Sequence, residues 1–149
     1  MMNLRRLLVP VDFTETSDRA LGYAIELARK FEASITLMHA YQIPVYGFPE
    51  GAYIAAADVA TQLSTAAQQR LDMLVKGNKT AGIEITAILR DGVPWEEIGT
   101  VASEVHADLI VIGTHGRRGL ARALLGSVAE NVIRTSRLPV LVIHGPRDD

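Results

Sequence analysis

Apolar residues along the chain fall into short continuous runs separated by longer stretches in which they recur at helical spacing. Four runs, at residues 7–11, 35–40, 109–112 and 139–143, are apolar almost throughout, and a fifth, at 84–90, is amphipathic. Continuous hydrophobicity is typical of strands that are covered on both faces, as in parallel sheets. The pattern therefore predicts five strands.

The stretches between these runs repeat apolar residues with the period of an α-helix. Such repeats cover residues 20–31, 59–75, 98–105 and 128–133. Pro94 and the acidic Glu96 and Glu97 suit the start of the third helix. Strand and helix thus alternate four times before a closing strand, which predicts an α/β fold with a parallel sheet and helices on both faces.

The length of 149 residues suits one domain, which we predict to span residues 1–149. Residues 42–57 interrupt the periodic pattern and are rich in aromatic side chains. Irregular segments of this length are often lids or binding loops, although a surface excursion that packs its own aromatics explains the composition equally well.

Composition narrows the classes of function. The formal net charge of −2 argues against a main partner that is nucleic acid or an anionic membrane. The absence of cysteine excludes disulfides and thiolate chemistry. No apolar run approaches the length of a transmembrane helix, so we expect no membrane association and a cytoplasmic location.

The glycine-rich stretch GTHGRRGLARALLGS, residues 113–127, follows the fourth predicted strand directly. Ligands of open α/β sheets bind beyond the carboxyl ends of the strands, where the strand order reverses. Glycine lets the backbone turn tightly and approach a ligand closely. Three arginines and no acidic residue between positions 109 and 129 give a local formal charge of +3, which favours an anion.

Gly126 and Ser127 open the last predicted helix, whose first amides lack intrahelical partners and carry partial positive charge. Such a terminus binds phosphate well. An alternative is that Ser127 only caps its own helix, because Ser127 and Glu130 have the spacing of a capping box. A Walker A loop and a G-x-G-x-x-G fingerprint after the first strand are both lacking, which argues against P-loop nucleotide hydrolases and NAD dehydrogenases.

The spacing Gly113-x2-Gly116-x9-Gly126-Ser127 resembles the G-x2-G-x9-G-[ST] signature of ATP-binding universal stress proteins. The segments LLVPVDFTETSDRAL and RTSRLPVLVI also resemble the two ends of that family's sequences. The resemblance implies a Rossmann-like nucleotide-binding fold with strand order 3-2-1-4-5 and ATP between the ends of strands one and four. It also implies Mg²⁺ bound through the phosphates and a homodimer formed by the last strand, through Val140, Leu141, Val142 and Ile143.

The resemblance further implies which residues contact the nucleotide. Asp12 and the backbone of Ala40 are expected at the adenine, and the glycines along the ribose and phosphates. The predicted contacts are Pro10, Asp12, Ala40, Gly113, Thr114, Gly116, Arg117, Gly126, Ser127 and Val128. Asp12 directly follows the first strand and could accept hydrogen bonds from the adenine amino group or the ribose hydroxyls. Its alternative role is to cap the first helix, in competition with neighbouring hydroxyl residues.

The candidates for catalysis are weak. His115 lies in the glycine-rich stretch without a carboxylate partner nearby in sequence, and His39 is predicted to be a hydrogen-bonded core residue. The histidines lack metal-ligand spacing, so we predict no protein-built metal site and no catalytic residue. The leading hypothesis is an ATP-binding protein that changes its state or partner with nucleotide. The alternatives are a slow ATPase or phosphotransferase, and a nucleotide-independent dimeric scaffold.

Overall fold

A computed structural model of the chain describes residues 3–43, 53–114 and 126–146. Within these residues, strands and helices alternate along the chain. The strands are β1 (Arg6–Pro10), β2 (Ser34–Tyr41), β3 (Ile85–Asp91), β4 (Leu109–Gly113) and β5 (Val140–Ile143). The α-helices are α1 (Glu15–Phe31), α2 (Tyr53–Gly77), α3 (Pro94–Glu104) and α4 (Ser127–Thr135).

The five strands form one parallel sheet of order β3-β2-β1-β4-β5, which confirms the predicted α/β fold and strand order. The chain runs outward from β1 to β2 and β3, and then returns to the other side of β1 with β4 and β5. The strand order therefore reverses between β1 and β4. Open α/β sheets bind ligands at such a point, beyond the carboxyl ends of the strands.

Helices cover both faces of the sheet, which explains the continuous hydrophobicity of the strands. Leu7 and Val9 belong to the apolar cluster that includes residues of α1 and α2. Leu8 points the other way and belongs to the cluster formed with α3 and α4. All three side chains are at most 1% exposed. Successive residues of a strand face opposite sides of a sheet, so each of the four buried positions of β1, residues 7–10, carries an apolar side chain.

The predicted bounds of the strands agree with the structure to within one residue at every end. The irregular segment, predicted at 42–57, was predicted too long. Residues 53–57 belong to α2. Three consecutive alanines there favour a helix by their high helix propensity. They form no amphipathic stripe, so the apolar periodicity did not predict this part of the helix. Residues 44–52 of that segment lie outside the described residues. Among the residues that are described, no helix has the length and apolar character needed to cross a membrane.

Candidate functional site

Three of the predicted site residues lie at one level of the sheet, just beyond the point where β1 ends. Pro10, the buried last residue of β1, pairs with Met38 of β2. Continuing the same register by two residues places Asp12 level with Ala40. On the other side Leu8 pairs with Ile110 of β4, and this register continues to Asp12 and Thr114. These three predicted residues are thus brought together at the switch point of the sheet.

The main chain of Ala40 is turned toward the space that β1 leaves open. The amide of Ser34 donates to Arg5 and the carbonyl of Met38 accepts from Val11, so alternate residues of β2 face β1. Ala40 is the next residue of β2 after Met38 that faces β1, so it lies just beyond the hydrogen bond from Val11 to Met38. Its amide and carbonyl therefore point past the end of β1. No sequence pattern indicated what would leave this backbone accessible; in the structure it is accessible because β1 ends at Pro10 while β2 continues to Tyr41.

The carboxylate of Asp12 is exposed and held by the start of α1. Its Oδ1 accepts a hydrogen bond from the amide of Thr14 at 3.1 Å and another from the Thr14 hydroxyl. The same Thr14 hydroxyl accepts from the amide of Ser17 at 3.3 Å, which makes Thr14 the N-cap of α1. The capping role considered for Asp12 therefore belongs to Thr14, and Asp12 is instead oriented by that cap.

Sequence reasoning missed the residue between Asp12 and Thr14. Phe13 has a backbone φ of 63°, in the left-handed region, and its ring centroid lies 4.6 Å from that of His39. The guanidinium carbon of Arg70, on α2, lies 5.2 Å from the same ring centroid. His39 was predicted to be hydrogen-bonded, and its Nδ1 indeed lies 2.7 Å from the carbonyl oxygen of Val11, although the side chain is only half-buried.

Gly113 has a packing reason to be glycine. A Cβ atom there would lie 2.8 Å from the carbonyl oxygen of Thr16 and 2.9 Å from its Cγ2, because the first turn of α1 packs on the end of β4. The sequence interpretation explained this glycine by a close approach of the backbone to a ligand; the packing of α1 is a second reason, and the ligand contact stays a prediction. Its neighbour Thr114 is 5% exposed, and its amide donates to the carbonyl of Ile143 at 2.9 Å.

The N-cap of α4 is a glycine. Gly126, with φ 75° and ψ 145°, has no side chain and so does not itself cap the amides of the first turn. The capping box considered as an alternative for Ser127 and Glu130 does not form, because Ser127 is the first helical residue and not the N-cap; Glu130 pairs with Arg134 at 2.7 Å. Ser127 is the exposed first residue of the helix. Since α4 leads from the carboxyl end of β4 to the amino end of β5, it begins at the edge that carries Asp12.

The remaining predicted residues of the glycine-rich stretch, Gly116 and Arg117, lie outside the described residues, as does His115. Within the described ranges, no three carboxylate or histidine side chains are grouped closely enough to hold a metal ion. His106 and His144 are exposed: His106 precedes β4 at the opposite edge of the sheet, whereas His144 directly follows β5 at the carboxyl edge, level with Thr114. The described part of the site therefore combines an oriented carboxylate, exposed strand backbone and a helix terminus whose N-cap is a glycine.

Comparison with known proteins identifies the family. Residues 3–144 match the model of the universal stress protein family. The chain belongs to this family. Universal stress protein MJ0531 of Methanocaldococcus jannaschii is 35% identical over 147 residues, which cover 97% of this chain and 85% of that protein.

Solved structures of other universal stress proteins share the fold. The structure of hypothetical protein MJ0577 superposes with a TM-score of 0.85 at 28% identity and covers 99% of this chain and 100% of its own. A universal stress protein in complex with cAMP has a TM-score of 0.64 at 30% identity, covering 97% and 99% of the two chains. One from Archaeoglobus fulgidus in complex with dAMP has a TM-score of 0.65 at 25% identity, covering 96% and 99%. Structural neighbours of this universal stress protein thus include complexes with adenine nucleotides.

Proposed function

We propose that this universal stress protein binds ATP across the carboxyl ends of β1, β2 and β4, and that it acts in the cytoplasm as a nucleotide-dependent regulatory homodimer. The observation that carries the proposal is the pairing of two complementary features at one edge of the sheet. Asp12 and the Ala40 backbone offer hydrogen bonds suited to a base and a sugar, and the start of α4, whose N-cap is a glycine, offers amides suited to phosphate.

The part of the site formed by Asp12 and the Ala40 backbone, here called the base end, fits adenine by its hydrogen-bonding groups. Adenine presents a ring-nitrogen acceptor beside its amino donor. The Ala40 backbone supplies one donor and one acceptor on the side facing away from β3, and the Asp12 carboxylate supplies further acceptors for the amino group or the ribose hydroxyls. Asp12 is already aimed by two hydrogen bonds from Thr14, so little ordering is needed when a ligand arrives.

The start of α4, here called the phosphate end, fits an anion by its glycine N-cap and by the dipole of the helix. Gly126 adopts a left-handed backbone that glycine accepts without strain, and it places no side chain over the helix terminus. The amides of Ser127 and Val128 begin α4, where the helix dipole favours negative charge. In this proposal Gly116 and Arg117 complete the phosphate contacts, and Mg²⁺ is held by the phosphates and water rather than by a protein cage.

The neighbouring complexes support the class of ligand. Those with cAMP and dAMP are formed by proteins that share this fold over nearly the whole chain. The choice of ATP within this class is supported by the spacing Gly113-x2-Gly116-x9-Gly126-Ser127, which resembles the signature of ATP-binding universal stress proteins.

The homodimer is supported by the edge of the sheet. β5 is an edge strand, and its Val140, Leu141 and Val142 are apolar and only partly buried. An edge strand of this kind exposes unpaired backbone groups unless another segment covers it. A second copy of β5 is the proposed cover. A ligand that binds only one conformer of the protein shifts the population toward it, which is how nucleotide would change the state of such a dimer.

The proposal is tested by titrating nucleotide-free protein with Mg-ATP in a calorimeter and by analysing small molecules released on denaturing freshly purified protein. We expect saturable binding and a raised unfolding midpoint, since ligand at 100 times its dissociation constant adds about 2.7 kcal/mol to the free energy of unfolding. Absence of heat, of a midpoint shift and of co-purified adenine nucleotide at millimolar Mg-ATP would refute it.

A further inference from the structure

Phe13 adopts a backbone conformation that is rare for a bulky residue. Its φ of 63° lies in the left-handed region, which large side chains seldom enter. Such a conformation persists only where the surrounding structure holds it. Because Phe13 stands between Asp12 and Thr14, this turn sets the direction in which the Asp12 carboxylate leaves the end of β1.

Contacts from two other elements hold the ring of Phe13. The imidazole of His39, on β2, lies 4.6 Å away between centroids with a 43° tilt, a normal geometry for interacting aromatic rings. The guanidinium of Arg70, on α2, lies 5.2 Å from the ring centroid, within the range of a cation–π interaction. The ring also packs against the apolar cluster beneath α1 and α2.

His39 is itself anchored to the segment that carries Asp12. Its Nδ1 lies 2.7 Å from the Val11 carbonyl oxygen, an arrangement in which Nδ1 carries the proton and donates it. β2, the end of β1 and α2 therefore meet at the ring of Phe13. Two residues of the candidate nucleotide site adjoin this contact in the chain: Asp12 precedes Phe13, and Ala40 follows His39.

We propose that Phe13 is a positioning residue of the nucleotide site, holding the left-handed turn that aims Asp12, and that Arg70 tunes this turn from α2. The proposal rests on the proposed function for the identity of the ligand, but the turn itself can be measured without one. It makes α2 a regulatory element of the base end, because a shift of α2 would move Arg70 relative to the ring.

The first test replaces the ring while keeping an apolar side chain. Phe13→Leu should raise the dissociation constant of Mg-ATP about tenfold, and Phe13→Tyr, which keeps the ring, should stay within twofold of wild type. Phe31→Leu is the matched control, because Phe31 is an exposed phenylalanine on α1 and contacts neither His39 nor Arg70. Equal affinities for Phe13→Leu and wild type would overturn the proposal.

A second readout reports on the turn in nucleotide-free protein. The amide of Thr14 donates to Asp12 Oδ1 at 3.1 Å, so its NMR chemical shift and its hydrogen-exchange rate follow the direction of the carboxylate. Phe13→Leu should move this shift and speed exchange about tenfold, while Phe31→Leu leaves both unchanged. Lost affinity with an unchanged Thr14 amide would overturn the positioning role. A changed Thr14 amide in a protein that never binds Mg-ATP would support positioning and refute the proposed function.

The contribution of Arg70 is tested by a double-mutant cycle with Phe13. Arg70→Ala should raise the dissociation constant of Mg-ATP about threefold in wild type and leave it unchanged in the Phe13→Leu background, because the cation then has no ring to contact. Lys76→Ala removes another exposed cation from α2 and serves as the control. Equal effects of Arg70→Ala in both backgrounds would overturn the tuning role.

Discussion

The two ends of the candidate site are built in opposite ways. At the end of β1, side chains hold one another: Thr14 bonds Asp12, and Phe13 lies against His39 and Arg70. At the start of α4, the N-cap residue is a glycine, which contributes backbone and no side chain. One end is ordered by its own side chains before any ligand arrives, and the other presents the backbone of a glycine N-cap.

This difference has consequences for how each end recognises a ligand. Oriented acceptors select a ligand by the positions of its donors, so the loss of each acceptor should reduce affinity by a limited amount. Helix amides attract any anion that can approach them, so the limiting factor there is steric access. The base end should therefore supply specificity, and the start of α4 should decide whether the phosphates can bind at all.

The largest effect is expected from closing the start of α4. Gly126→Val places a branched side chain over the terminus and disfavours the left-handed φ of 75°, so affinity for Mg-ATP should fall more than 100-fold, about 2.7 kcal/mol. Calorimetric titration measures this. Gly22→Val is the matched control, since Gly22 lies on the exposed face of α1 with open space around it. A folded Gly126→Val protein with wild-type affinity would show that the phosphates bind elsewhere.

A substitution at Gly113 tests how closely the end of β4 packs against the first turn of α1. Gly113→Ala would bring a Cβ atom to 2.8 Å from a backbone oxygen of Thr16, so the free energy of unfolding should fall by about 1–3 kcal/mol. Gly99→Ala, on α3 with nothing within 4 Å of the added carbon, should instead gain up to about 1 kcal/mol from helix propensity. Denaturant unfolding of both variants separates the predictions, and loss of stability by neither would contradict the close contact.

The sheet could be predicted from sequence because burial on both faces leaves a direct mark on the strands. Leu7, Leu8 and Val9 are consecutive apolar residues because they face two different helix layers. The start of α3 was also predictable, since Pro94 occupies the first helical position, where its missing N–H costs nothing.

The details of the site depended on competing local patterns and on contacts between distant elements. Ser127 and Glu130 have the spacing of a capping box, yet the helix begins one residue too early for it and Glu130 pairs with Arg134 one turn further along. The need for glycine at position 113 comes from Thr16 on another element. A left-handed Phe13 breaks the usual preference of its residue type, and its ring contacts residues of two distant elements, His39 and Arg70. The ATP ligand and the dimer remain predictions.

At the base end, removing the charge of Asp12 should have a moderate effect. Asp12→Asn keeps the size of the side chain but exchanges one acceptor oxygen for a donor, so affinity for Mg-ATP should fall about tenfold, or about 1.4 kcal/mol. Asp18→Asn, an exposed acid in the first turn of α1, controls for the change of charge near the helix. If both variants lose affinity equally, the general field of the helix terminus matters and the Asp12 carboxylate makes no specific contact.

The smallest effect is expected at Thr14. A substitution there best separates the orientation of the Asp12 carboxylate from its own contact with the ligand. Its hydroxyl caps α1 and bonds Asp12, so Thr14→Ala should lower the free energy of unfolding by about 1 kcal/mol and weaken Mg-ATP binding severalfold. Thr14→Ser keeps the hydroxyl and should restore both properties. Thr61→Ala is the control, because Thr61 bonds only its own helix, at the carbonyl of Ala57. Lost stability with unchanged affinity would mean that Asp12 finds its direction without the cap, leaving the turn at Phe13 to set it.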